Sequence, residues 1–90
     1  MEYKKNVKVV NEMGFHLRAV AVFAKEAEKF KSTVKVRHKE VEADGKSIMG
    51  LMMLVAEFGC EIEIRAEGND AKEAVNRLVQ VVKNRFGEPK

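Results

Sequence analysis

Apolar residues recur in this chain at two spacings: every second residue in some segments and every third or fourth residue in others. These spacings limit the folds that the chain can adopt. Residues 60–67 alternate between apolar or small and charged side chains, which is typical of a strand with one buried face. Residues 17–31 carry apolar side chains every three or four positions, which is typical of an amphipathic helix. Both patterns together predict strands at residues 3–10, 33–37, 41–43 and 60–67, and helices at residues 17–31, 47–55 and 70–86.

The predicted order is β-α-β-β-α-β-α, and each element has one apolar face. Such elements bury their faces best when the helices pack on one side of a sheet. We therefore predict an α+β open-faced sandwich, in which three helices cover one face of a four-stranded antiparallel sheet. Ninety residues are enough for one hydrophobic core. We expect residues 1–90 to form a single domain.

Polar residues mark the starts of two predicted helices. Ser47 is placed to cap the second helix with its hydroxyl. Asp70 and Glu73 form a capping-box pattern at the start of the third helix.

The second predicted helix is apolar almost all the way round, so part of its apolar surface must stay outside the core. An exposed apolar group of this kind often marks a docking surface, although an ordinary buried helix is the alternative. The residues predicted to face inward are Leu51, Leu54 and Val55. The residues predicted to stay outside are Ile48, Met49 and Met53.

Charge and hydropathy exclude several classes of partner. The 17 basic residues are interleaved with 14 acidic ones, and no cationic block is present, so we expect no nucleic-acid binding. RNA binding by the sheet would also need exposed aromatic residues, and the strands offer little beyond Tyr3. The apolar stretch at residues 48–56 is too short for a membrane span, and the first residues lack a signal-peptide pattern. We expect a cytoplasmic protein.

Metal, disulfide and nucleotide sites are not indicated either. Cys60 is the single cysteine, and no Cys/His cluster has zinc-like spacing. We interpret Cys60 as a small apolar residue at a strand start and His38 as a surface residue in a hairpin turn. No phosphate-binding loop motif is present, so we expect no cofactor.

Residues 14–19 place an imidazole and a guanidinium where a loop turns into the first predicted helix. Gly14 lets the backbone bend sharply before His16, and Arg18 supplies donors that match phosphate oxygens. The first turn of a helix also has free N–H groups that favour an anion. His16 could therefore accept a phosphoryl group as a labile phosphoramidate. An ordinary surface histidine is the alternative, and the residues alone leave both interpretations open.

Ser47 also has two interpretations. A serine that opens a helix is most often only a cap. A phosphate on it would still be tolerated, because its negative charge would lie at the positive end of the helix dipole. Such an ester is stable, so the site would regulate rather than relay.

Three segments together resemble the HPr family, the histidine-containing phosphocarriers of the bacterial phosphoenolpyruvate:sugar phosphotransferase system. Residues 14–18 resemble the active-site signature of the family, and residues 46–52 resemble its regulatory-serine signature. Residues 66–68, followed by the acidic start of the last helix, resemble its C-terminal third. The resemblance runs nearly end to end.

The resemblance implies a carrier and not an independent enzyme. Enzyme I would take phosphate from phosphoenolpyruvate and pass it to Nδ1 of His16, and a sugar-specific IIA protein would then receive it. Arg18 would steady the phosphoryl oxygens in both transfers. We expect the carrier to be a monomer. The docking face implied for its partners consists of Leu17, Ala21, Lys25, Ile48 and Met49.

The resemblance also implies regulation at Ser47. HPr kinase/phosphorylase would phosphorylate this serine, which would impede transfer from enzyme I and favour binding to a transcriptional regulator. The family usually has proline where this chain has Ala19. A nitrogen-branch or catabolite-control paralogue, acting mainly as a binding module, is therefore the alternative function.

Overall fold

The computed structural model describes residues 1–90 and confirms the predicted order of elements. A short 3₁₀ turn, Arg85–Gly87, follows the last helix. The strands are β1 (Glu2–Lys8), β2 (Thr33–His38), β3 (Val41–Asp44) and β4 (Glu61–Glu67). The helices are α1 (Leu17–Ala27), α2 (Ile48–Met52) and α3 (Ala71–Lys83).

The four strands form one antiparallel sheet, as predicted, and their order in the sheet is β1-β4-β2-β3. Strand β4 lies inside the sheet, where Ile62 pairs with Val7 of β1 and Ile64 pairs with Val36 of β2. All four side chains are buried. Because side chains of a strand alternate between the two faces, this register places one apolar face of the sheet under the helices.

A single core fills the space between the sheet and the helices. Helix α3 packs on β1 and β4, while α1 packs against both α2 and α3. Burying one large apolar side chain contributes about 1.5–3 kcal/mol, so the largest buried residues account for much of the stability. The largest of these side chains are Phe23, Leu51, Ile62, Ile64 and Leu78.

Helix α2 is shorter than predicted, because it ends at Met52 and not at Val55. Val55 has a φ of +49°, a left-handed conformation that a right-handed helix cannot contain. Its side chain is 66% exposed, so the prediction that it faces the core is wrong. Leu51 and Leu54 are buried, as predicted. Met53 is exposed, also as predicted.

Helices α1 and α3 also end earlier than the apolar pattern indicated. In α1, the N–H groups of Lys29 and Phe30 donate to carbonyls three residues back, so the last turn tightens and the α-helix stops at Ala27. Helix α3 stops at Lys83. Phe86 is buried as predicted, but from the 3₁₀ turn and not from a continued helix.

One of the two predicted caps is present. The Ser47 hydroxyl accepts a hydrogen bond from the Gly50 N–H at 3.0 Å, which confirms the cap of α2. The Asp70 carboxylate makes no capping bond to α3, so the capping-box prediction is wrong. Asp70 instead accepts from the N–H groups of Lys31 and Ser32, each at 2.9 Å, and from the Ser32 hydroxyl at 2.5 Å.

The bonds to Asp70 favour its ionised form. The Ser32 hydroxyl and the Lys31 N–H hold the pKa of the Asp70 carboxyl at about 2, below its usual 3.8. The carboxylate thereby ties the start of α3 to the loop that precedes β2.

No helix combines the length and the apolar character needed to cross a bilayer. No three His, Cys, Asp or Glu side chains are grouped closely enough to hold a metal ion.

Candidate functional site

A tight loop between β1 and α1 carries His16. Gly14 has a φ of +66°, and a Cβ atom there would lie 2.6 Å from the Ala56 carbonyl oxygen. Glycine is therefore required both by the backbone conformation and by the available space. The next residue, Phe15, is buried and donates its N–H to the same Ala56 oxygen at 2.8 Å. Gly14 and Phe15, the two residues before His16, are thus both held against the Ala56 carbonyl.

His16 occupies the N-cap position of α1. Its backbone is extended, with a φ of −84° and a ψ of 173°, and its carbonyl accepts from the Val20 N–H at 3.0 Å. Its side chain makes no capping bond and remains 19% exposed. The amides of Leu17, Arg18 and Ala19 donate to no group of the chain. These free donors lie at the positive end of the helix dipole, which is a favourable place for an anion.

Arg18 is exposed and forms neither an ion pair nor a hydrogen bond within the chain. Its guanidinium, two residues beyond His16, is therefore available to an external partner. Guanidinium groups bind phosphate oxygens through paired N–H donors. The role predicted for Arg18 remains a prediction.

A carboxylate that the sequence analysis did not identify contacts the His16 ring. Nε2 of His16 hydrogen-bonds to Oε2 of Glu88, whose side chain is only 14% exposed. The other oxygen, Oε1, accepts from the side-chain amide of Asn11 at 3.1 Å. The surroundings of His16 are therefore mixed in charge, because it precedes the free amides of the first helical turn and its ring contacts a carboxylate. No local sequence signal links positions 72 residues apart.

Asn11 joins this carboxylate to the loop. It is completely buried, and its amide nitrogen also donates to the Gly14 carbonyl at 2.8 Å. One side chain thus holds both the turn before His16 and the partner of its ring.

The residues predicted for docking are distributed over α1 and α2, which pack against each other. Leu17 and Met49 are 62% and 79% exposed, and Ile48 is also exposed. Ala21 is half-buried and Lys25 is exposed. Residues four apart on a helix share a face, so Leu17, Ala21 and Lys25 lie along one side of α1. Their function in docking remains a prediction.

Ser47 lies directly before the two exposed residues Ile48 and Met49, and it is half-buried. Its oxygen is already engaged with the Gly50 N–H. A phosphate there would lie beside the exposed residues Ile48 and Met49, and regulation at Ser47 remains a prediction.

His38 and Cys60, the two other residues considered for chemistry, are both half-buried. His38 is half-buried and its Nδ1 bonds to the Leu54 carbonyl at 2.9 Å, so the prediction of a plain surface residue is wrong. Cys60 is half-buried immediately before β4, and burial raises the pKa of its thiol. A raised pKa makes the reactive thiolate scarcer.

Comparison with known proteins decides the family. The family described as the PTS HPr component phosphorylation site matches residues 3–84. The chain belongs to the HPr family. HPr proteins are phosphocarriers of the phosphotransferase system, so this chain is a carrier and not an enzyme in its own right.

Known HPr proteins match almost the whole chain. The phosphocarrier protein HPr of Neisseria meningitidis serogroup A is 41% identical over 85 residues, which cover 94% of this chain and 96% of that protein. The crystal structure of HPr-C-His from Thermoanaerobacter tengcongensis has a TM-score of 0.93, with 34% identity, and covers 98% of this chain and 99% of its own. An HPr from Bacillus anthracis has a TM-score of 0.87, with 34% identity, and covers 90% of this chain and 96% of its own.

Ala19 lies where the resemblance to the HPr family implies a proline. Its side chain is completely buried and its N–H has no partner in the chain. Proline would supply no N–H at this position, whereas alanine adds a third free donor to the first turn of α1. Alanine is also a strong helix former, so the start of the helix is preserved.

Proposed function

We propose that this HPr protein accepts a phosphoryl group on His16 from enzyme I and passes it to a IIA component for sugar uptake. The observation that carries the proposal is the position of His16, partly exposed beside three amides that have no acceptor in the chain. These amides and the free Arg18 guanidinium can bind the three phosphoryl oxygens. The proposed acceptor atom is Nδ1, because Nε2 faces Glu88.

The proposed docking face comprises the exposed side of α1 and the start of α2. Leu17, Ile48 and Met49 offer apolar contact, and methionine adapts to differently shaped partners because its side chain is flexible and polarizable. Lys25 adds a positive charge at the far end of the same side of α1. A carrier must bind the phosphoryl donor and the phosphoryl acceptor in turn, and one surface of this kind can bind both.

Incubation with phosphoenolpyruvate and purified enzyme I tests the proposal. Mass spectrometry should detect one added phosphate that is lost in acid and retained in base. His16→Ala should add none, whereas His38→Ala should be labelled as efficiently as the wild type. Absence of label on the wild type, with a known HPr labelled in parallel, would contradict the carrier function.

Phosphorylation of Ser47 is the proposed regulatory step. A phosphate there would place about two negative charges beside Ile48 and Met49, which would oppose apolar docking of enzyme I. Ser47→Asp should slow labelling of His16, while Ser47→Ala should not. Incubation with HPr kinase/phosphorylase should label wild-type protein and leave Ser47→Ala unlabelled.

The exposed start of α2 favours one alternative, a regulatory HPr that binds a transcriptional regulator without relaying phosphate. Ile48 and Met49 then form the binding surface, and Ser47 phosphorylation sets the affinity. In a pull-down with that regulator, Ile48→Asp should abolish binding while His16→Ala leaves it intact. The two functions are distinguished because only the carrier requires His16.

A further inference from the structure

The chain after α3 turns back towards His16. Arg85, Phe86 and Gly87 have φ values of +57°, +55° and +84°, three successive left-handed residues that reverse the chain direction. The turn buries Phe86 and is followed by Glu88. Further along, the Lys90 carbonyl accepts from the Glu12 N–H at 3.1 Å. The tail is thus attached to the His16 loop on both sides of Glu88, because Phe86 packs against Phe15 before it and Lys90 bonds Glu12 after it.

We propose that Glu88 is a positioning residue that holds the His16 ring with its proton on Nε2 and its lone pair on Nδ1. This inference rests on the proposed carrier function. A carboxylate only accepts hydrogen bonds, so the ring nitrogen that faces it must carry the proton. In neutral imidazole the other nitrogen then holds the lone pair. The contact therefore selects the nucleophilic atom as well as the orientation of the ring.

The carboxylate also acts during transfer. When the Nδ1 lone pair forms a bond to phosphorus, the bond between phosphorus and the donor breaks, and its electron pair leaves with the donor. The ring keeps the Nε2 proton and becomes an imidazolium, whose positive charge Glu88 faces. In the onward transfer the N–P bond breaks and the ring leaves as neutral imidazole, still protonated on Nε2. No proton has to be gained or lost in either step.

Asn11 keeps the carboxylate in place. Its amide donates to Oε1 of Glu88 while Oε2 contacts the ring, so the two oxygens are assigned to different partners. Because Asn11 is completely buried and also bonds the Gly14 carbonyl, it links the carboxylate to the loop that carries His16. The arrangement resembles the carboxylate that orients a catalytic or metal-bound histidine in other proteins.

Nitrogen NMR tests the tautomer without any phosphate. Long-range proton–nitrogen spectra of ¹⁵N-labelled protein, at a pH where the rings are neutral, should show His16 protonated on Nε2. His38 provides an internal reference, because its bond to the Leu54 carbonyl requires a proton on Nδ1. In Glu88→Ala, His16 should become a mixture of tautomers with faster exchange of its N–H, while the His38 signals stay unchanged. An unchanged His16 signal in Glu88→Ala would overturn the proposal.

Single-turnover labelling from enzyme I tests the effect on transfer. Glu88→Ala should slow labelling of His16 roughly 10–100-fold. Glu12→Ala removes one exposed negative charge from the loop that carries His16, and this variant should be labelled at nearly the wild-type rate. Glu88→Gln retains an acceptor of similar shape, so it should keep the tautomer and recover part of the rate. An Ala variant as fast as the wild type would refute the role of Glu88. Failure of the wild type to take up phosphate would instead refute the carrier function and leave the tautomer result standing.

Discussion

The ring of Phe86 packs edge-on against the ring of Phe15, with ring centroids 5.6 Å apart. Phe15 also packs against Phe23 of α1, at 6.1 Å. The residue immediately before His16 is therefore enclosed between the core and the C-terminal turn. Aromatic pairs of this geometry add about 0.5–1.5 kcal/mol to the effect of burial alone.

Phe86→Ala should lower the free energy of unfolding by about 3–5 kcal/mol, because it removes a buried aromatic ring and leaves a cavity beside Phe15. It should also release Glu88, so the His16 ring should lose its Nε2 preference. Denaturant unfolding measures the first effect and nitrogen NMR the second. Phe58→Ala is the control, since Phe58 is 65% exposed and its loss should change stability by less than about 0.5 kcal/mol.

Gly14→Ala should destabilise the protein by more than Gly59→Ala. Both glycines have positive φ, at +66° and +89°, so both variants bear the cost of a left-handed alanine, about 1–2 kcal/mol. Only at Gly14 would the new methyl group also collide, with the Ala56 carbonyl, whereas nothing lies within 4 Å at Gly59. Unfolding measurements should therefore show an additional loss at Gly14. Equal losses would mean that the Ala56 contact does not fix the loop.

Much of the fold could be predicted because its signals are local. The alternation of Ile62 and Ile64 with charged residues, and the helical spacing after His16, are determined within a few residues of each position. Ser47 also caps its own helix, so its role was visible from its position alone. Short-range patterns of this kind survive in the structure because the core depends on them.

Two of the missed features depend on contacts between distant segments. Glu88 reaches His16 only because Arg85 and Phe86 adopt left-handed conformations that non-glycine residues seldom show. The Asp70 carboxylate is taken by Ser32 and Lys31, 38 and 39 residues away, in competition with the predicted cap. No periodicity or spacing in the sequence encodes these choices.

Val55→Gly should raise the free energy of unfolding slightly. A β-branched residue at a φ of +49° destabilises the folded state by about 1–2 kcal/mol, and glycine removes this strain. The greater freedom of glycine in the unfolded chain offsets about 0.5–1 kcal/mol of the gain. Little burial is lost because the side chain is mostly exposed. Val41→Gly is the matched control: Val41 is also exposed, but it lies in strand β3, so this variant should be destabilised by about 1 kcal/mol. Loss of stability in both variants would show that Val55 is not strained.

Asp70→Asn should destabilise the protein at neutral pH, and the difference should disappear in acid. The folded-state pKa of Asp70, about 2, lies below its usual 3.8, because the Ser32 hydroxyl and the Lys31 N–H bond the ionised form. The stabilisation is therefore fully present above about pH 4 to 5 and is lost as the pH falls through about 2. Unfolding free energies measured from pH 7 to pH 2 should show the wild-type and Asn curves converging. Glu57→Gln, which removes one exposed charge, should run parallel to the wild type. If the difference in unfolding free energy between the wild type and Asp70→Asn stayed constant with pH, the effect would come from the shape of the side chain and not from its charge.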